Sequence, residues 1–195
     1  MPLKLIQTVA PATDVVTDAE QKDHAKISLT DDDTIVATMN EAAIEFVQDR
    51  LQRGFVTQTW ELSLDNFPTS GCPIELCRVP AIAITSISYI DTNGDAQTLA
   101  STEYTLDDKA EPAQIHEAYL KTWPSTQNVV NAVTILYTVG YGTAASATPE
   151  KYKMLIKHIF TNFYEHREPT TQGKYEDMPM HLKALFEKYE MKVFG

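Results

Sequence analysis

The sequence predicts an α+β fold: a helical bundle built from N- and C-terminal helices, with a mainly antiparallel β region inserted between them. Three observations carry that prediction. Apolar residues recur at helical spacing before residue 53 and again after residue 148. From Phe55 onward the period falls to two, the spacing of a half-buried strand. The chain has 195 residues, 43% hydrophobic and 22% charged, which is enough for one large domain or two small ones and unlike a disordered segment.

Thr17-Asp18-Ala19-Glu20 has the form of a capping box, with the threonine oxygen placed to accept from the third helical amide, so a short helix is expected to about Lys26. Asp31-Asp32-Asp33 then places negative charge at the positive end of a helix dipole. Ile35, Val36, Met39, Ala43, Phe46 and Val47 follow with helical spacing, and Gly54 is the expected stop.

Val56, Trp60, Leu62 and Leu64 on alternate positions predict the first strand of the β region. Residues 66–73 read as a turn before a short strand at 74–76, and a second long strand is expected over 82–90. Asn93-Gly94 suits a tight hairpin turn into 97–99, and a final strand is expected over about 130–139.

Thr148-Pro149-Glu150 opens a helix, because proline lacks the amide that would be unpaired there and threonine can cap its neighbours. Tyr152, Leu155, Ile156, Ile159, Phe160 and Phe163 form its apolar stripe, with Lys153 and Lys157 on another face, and Pro169 ends it. Asp177 and Pro179 open a last helix with Leu182, Leu185, Phe186 and Tyr189 in register, before Val193-Phe194-Gly195. The expected organisation is an N-terminal arm at 1–16, a discontinuous bundle from 17–53 with 148–195, and an inserted β region at 54–147. Single amphipathic helices cannot bury their stripes alone, so the two helical ends are expected to pack together.

Charge narrows the function classes. The net charge is -11, divided as -5 over residues 1–53, -7 over 54–142 and +1 over 143–195. A chain that grips DNA needs a lysine and arginine surface to displace condensed counterions, and this one lacks it. Cys72 and Cys77 are too far apart in an extended strand to bridge, so free thiols are expected. None of the five histidines has zinc-ligand spacing, and no metal or cofactor is expected. The N-terminal segment has no long apolar core and no stretch reaches about 18 apolar residues, so synthesis in the cytoplasm without a membrane span is the expectation.

The motifs that could carry chemistry have simpler readings. Asp31-Asp32-Asp33 lacks the alternating oxygen ligands, central glycine and closing glutamate of a calcium loop. Gly140-Tyr141-Gly142 lacks the rest of a phosphate-loop pattern and reads as a sharp turn. Trp60 and Trp123 read as packed aromatics of a β layer. Glu165 and His166 are the natural acid–base pair of a small hydrolase or ligand-binding domain, but Glu165-His166-Arg167-Glu168 points around most of a helix and no nucleophile motif accompanies it.

An ordered string of patches gives the sequence a resemblance. They are Thr57-Gln58-Thr59-Trp60-Glu61-Leu62, Val79-Pro80, Ser86-Ile87-Ser88-Tyr89-Ile90-Asp91-Thr92-Asn93-Gly94 and Tyr104-Thr105-Leu106-Asp107. Trp123-Pro124, Gly140-Tyr141-Gly142 and Phe163-Tyr164-Glu165-His166-Arg167-Glu168 complete the string. Together, over roughly residues 17–190, they resemble the tailed-phage head-to-tail connector, or adaptor, family.

The resemblance implies a non-enzymatic virion protein without cofactors that forms a ring, twelvefold by analogy with the portal, at the neck between portal and tail. It would complete the head and let DNA pass without specific binding. Its implied partners are copies of itself, the portal protein and a tail-side neck or tail terminator protein. Its implied location is the virion neck, after assembly in the host cytoplasm. A tail-completion or baseplate protein is the alternative within the same setting. Arg167 and Glu168 are the candidates for ion pairs within the bundle or to a neighbouring subunit, and Leu185, Phe186, Tyr189 and Phe194 are those for docking on the portal.

Overall fold

The computed structural model describes residues 4–28, 30–165 and 180–190. Strand β1 (Lys4–Val9) leads into helices α1 (Asp18–Ala25) and α2 (Asp33–Leu51). Seven strands follow: β2 (Gln58–Leu64), β3 (Ile74–Glu75), β4 (Ala81–Ile90), β5 (Ala96–Thr98), β6 (Tyr104–Asp107), β7 (Gln114–Glu117) and β8 (Val133–Val139). Helices α3 (Glu150–Glu165) and α4 (Met180–Tyr189) complete the described chain. The α+β class with helical ends flanking a central antiparallel β region is the one expected.

The helices share one core. Val36, Ala43 and Val47 of α2 meet Leu155, Ile156, Ile159 and Phe160 of α3, and Leu182 and Phe186 of α4 close over them. Lys153 and Lys157 sit at the edges of this packing and pair with Glu150 at 2.8 Å and Glu20 at 3.9 Å. The capping box forms as expected: the Glu20 amide donates to Thr17 Oγ1 at 3.3 Å, and the Thr17 amide donates to Glu20 at 2.9 Å. The Thr17 amide first, and the Thr17 hydroxyl donating at 3.1 Å, hold the Glu20 carboxyl below the usual range. A buried polar pair locks α1 to α2, with Gln21 donating to Asn40 at 2.7 Å and Asn40 donating to the Val16 carbonyl and to Asp18.

The strands make two antiparallel sheets, β1-β2-β8-β4-β5 and β3-β7-β6. β8 is the central strand of the five-stranded sheet, and Val133, Ile135, Tyr137 and Val139 alternate inward from it with almost no exposure. They pack with Leu62, Ile87, Ile74 and Ile115 into a second core between the sheets. Trp60 and Trp123 lie against that core, Trp123 stacked on Phe67 at 5.1 Å.

Several local details differ from the sequence expectation. Residues 4–9, read as part of an arm, form the edge strand β1, pairing Leu5 with Leu62. β7 is also unannounced, since Ile115 is its one fully buried residue. α2 closes before Gly54: Gln52 takes the left-handed conformation, and the Gln52 and Arg53 amides donate to Asp49 and Gln48. Gly54 serves packing instead, because a Cβ there would lie 2.4 Å from Val139 Cγ2.

Candidate interaction surface

Three stretches of backbone carry the chain between the helical core and the β core, and the site grows from where two of them cross. The Tyr141 amide donates to the Phe55 carbonyl and the Thr57 amide to the Gly142 carbonyl, each at 2.9 Å. Gly140 makes the approach possible: its φ is 134°, and a Cβ would stand 2.7 Å from the Thr57 nitrogen. Gly140-Tyr141-Gly142 is therefore the sharp turn expected, pressed against the strand it crosses.

Two buried arginines span this crossing in opposite directions. Arg53, just beyond α2, reaches Glu111 in the β6–β7 connection through both terminal guanidinium nitrogens, at 3.2 and 2.7 Å. Arg78, in the β3–β4 connection, reaches back to the Gln48 carbonyl at 2.7 Å and to Asp49 at 2.5 Å. The bond to the Gln48 carbonyl sets a cation on the carbonyl end of α2, where the helix dipole favours it. Arg78 also lies over the Trp60 ring at 4.5 Å, which gives Trp60 a structural role. Burial is the largest influence on Arg53 and disfavours its charge, but the bond to Glu111 together with the nearby Tyr141, Tyr152 and Glu111 charges outweighs it, and the guanidinium is held more firmly protonated than usual.

Beside Arg53 opens a groove of about 270 Å³ lined by Arg53, Glu111, Lys151, Tyr152, Lys188, Tyr189 and Glu190. Its floor is aromatic. Tyr152 packs on Phe55, Tyr141 and Tyr189 at ring distances of 5.4, 5.8 and 6.0 Å. Arg53 donates to the Tyr141 hydroxyl at 3.2 Å, but burial dominates and pushes that phenol above its ordinary pKa. The Lys151 ammonium sits over both Tyr152 and Tyr189, at 4.8 and 5.1 Å, and Lys188 over Tyr189 at 5.7 Å. Glu190 reaches Arg50 at 3.9 Å. Both acids in the groove thus face arginines, while among the described residues the lysines have only ring faces. Such a surface suits association with an acidic group, and its described residues include no nucleophile beside a base.

The residues singled out from the sequence divide. Tyr189 lines the groove and Leu185 is half-buried against the helical core. Phe186 is 1% exposed and meets Phe46 edge-on at 5.9 Å, so the subunit's own core occupies it. Arg167, Glu168, Phe194 and His166 lie outside the described residues. Glu165 is exposed at the end of α3. Among the described residues no group of three or more histidine, cysteine, aspartate or glutamate side chains could hold a metal ion, and Cys72 and Cys77 are free thiols. No described helix is long and apolar enough to cross a membrane. Arg53, Glu111, Lys151 and Lys188 were not foreseen, because they come from four separated segments and form no motif.

No family model matches the chain, and no curated protein matches it. Solved structures do. A chain from the virion of a native gene transfer agent particle matches with a TM-score of 0.78 and 21% identity, over 98% of this chain and 97% of that one. A chain from the neck of an empty gene transfer agent particle, computed with C6 symmetry, matches with a TM-score of 0.77 and 22% identity over 98% of both chains. One from the neck of a native particle, computed with C12 symmetry, matches with a TM-score of 0.75 and 20% identity, again over 98% of both. The likeness extends across helices and sheets together, so this chain shares the whole fold of those subunits.

Proposed function

We propose that this chain is a structural virion subunit that assembles as a ring at the neck of a tailed phage or gene transfer agent particle, between portal and tail. The observation that carries the reading is the end-to-end fold likeness to chains of neck structures, with 98% coverage on both sides. A fold that matches only in a common core would carry much less. The ordered sequence patches support the same reading independently.

A ring of twelve copies is consistent with necks computed with C12 and with C6 symmetry, since a twelvefold ring contains the sixfold one. The ring partners would be further copies of this chain, with the portal protein on the head side and a tail-side neck or terminator protein below. DNA would pass through without being gripped, as the net charge of -11 favours. Leu185 and Tyr189, together with Arg167, Glu168 and Phe194, are the residues proposed for contacts to the portal or a neighbour, with Phe186 supporting them from the core. Assembly would take place in the host cytoplasm.

Electron microscopy of purified particles carrying a tagged copy of this chain tests the proposal. The tag is expected as a ring of density at the neck. Tag density at the baseplate or along the tail, or particles lacking the chain altogether, would overturn it.

A further inference from the structure

We infer that the Lys151–Lys188 groove is one half of the contact between neighbouring copies of this chain, and that the outer face of α2 on the next copy is the other half. This deepens the ring reading above and rests on it.

Glu41 and Glu45 stand one turn apart on α2, both exposed, on the side of the helix opposite Val36, Ala43 and Val47. Like charges at that spacing repel along a helix. No ion pair among the described residues relieves either one. Lys151 and Lys188 are the converse case. They project at the groove without a carboxylate partner among the described residues, while the groove's own acids face Arg53 and Arg50. Among the described residues the subunit therefore carries an unrelieved acidic face and an unrelieved basic one.

Their placement suits a closed ring. A head-to-tail contact needs two different faces of one subunit, and it closes only if the next copy is rotated without climbing along the axis. Both faces belong to the helical layer. α2 packs its inner side on α3 and α4, so Glu41 and Glu45 point away from the helices that carry Lys151 and Lys188. The groove accepts side-chain tips, and Tyr152 and Tyr189 beneath the lysines hold the ammonium groups in place before the partner arrives. The occupant is then a pair of glutamates from a second copy. Polynucleotide phosphate is the competing anion, disfavoured by the overall charge of the chain.

Charge reversal in assembled particles tests the contact. One variant carries Glu41→Lys with Glu45→Lys, a second carries Lys151→Glu with Lys188→Glu, and a third carries all four changes. Copies of the chain per particle are counted by quantitative mass spectrometry. Each double variant is expected to lower incorporation about tenfold or more, because like charges across an interface are strongly disfavoured. The fourfold variant is expected to recover most of it. Full incorporation of either double variant, or a fourfold variant no better than the worse parent, would overturn the contact and leave the neck reading standing. Full incorporation with loss of packaged DNA would assign the lysines to nucleic acid and also overturn it. Circular dichroism identifies any variant that fails to fold, and Lys151→Gln with Lys188→Gln then replaces it, expected to reduce incorporation more weakly. Should the tagged wild-type chain lie away from the neck, the ring reading falls. Sedimentation of the same variants at low and high salt then decides the contact by itself, with self-association that ignores both charge and salt counting against it.

Discussion

Arg53 grips both carboxylate oxygens of Glu111 across the boundary between the helical core and the β core, with 8% of the arginine side chain exposed against 53% of the glutamate. The asymmetry sets the outcome of removing either partner. Glu111→Ala strands a cation that burial already disfavours, whereas Arg53→Ala releases a carboxylate that water can solvate but leaves a gap beneath Tyr141 and Tyr152. Each change is expected to lower stability by about 1–3 kcal/mol, and the double variant by less than the sum. Urea denaturation of the single and double variants measures the coupling.

Gly140 and Gly71 separate two causes of glycine dependence. Gly71 has φ of 85° with nothing within 4 Å of where a Cβ would stand, so Gly71→Ala is expected to cost about 1–2 kcal/mol from backbone conformation alone. Gly140→Ala adds contact with the backbone of Val56 and Thr57 at 2.7–2.9 Å, and is expected to cost about 3 kcal/mol or more. Denaturation midpoints of the two variants, compared at equal slope, give the difference.

Asn40 is the hub of a buried network, tied to Val16, Asp18 and Gln21 at 2.7–2.9 Å. Replacing it with leucine leaves the Val16 carbonyl and the Gln21 amide without this partner. A loss of about 2–3 kcal/mol is expected, against about 1 kcal/mol for removing the Thr17 cap at the start of α1. Thermal melts of Asn40→Leu and Thr17→Ala should fall in that order.

Glu117 carries an acid-sensitive link in the β region. The Gly71 amide, then the Trp123 amide and the Ser70 hydroxyl, donate to its carboxylate at 2.9, 2.7 and 3.0 Å and hold its pKa below the ordinary value. A carboxyl whose folded pKa is depressed stabilises the fold above its unfolded pKa, about 4.3, and that stability is lost as pH falls through the folded pKa. Glu117→Gln is expected to flatten the acid limb of a stability–pH curve below about pH 4 while lowering the neutral plateau. Tryptophan fluorescence of Trp123, followed during acid titration, reports the change.

The legible parts of this fold were those where one residue type enforces one geometry. Thr17 with Glu20 wrote the α1 cap, and the stripe from Tyr152 to Phe160 wrote α3, because both signals are local. β1 escaped notice because an edge strand with one half-buried residue, Leu5, has no alternation to read. The end of α2 was misplaced because two different needs produce a glycine: a helix stop, which Gln52 meets here, and room for Val139, which Gly54 provides. The groove was the least legible part. Tyr189 was visible as part of a helical stripe, but what makes it a site is Lys151 above it and Arg53 beside it, and those neighbours exist only once the chain has crossed itself.

That crossing has a mechanical consequence. With Phe55 bonded to Tyr141 and Thr57 to Gly142, the long excursion of chain between them begins and ends at a single knot of backbone. Tension on the sheets would reach the helices through bonds loaded side by side, reinforced by Arg53 and Arg78 pulling from either bank. The joint would resist sliding in both directions, and the excursion itself could lengthen or shorten without moving the anchor points.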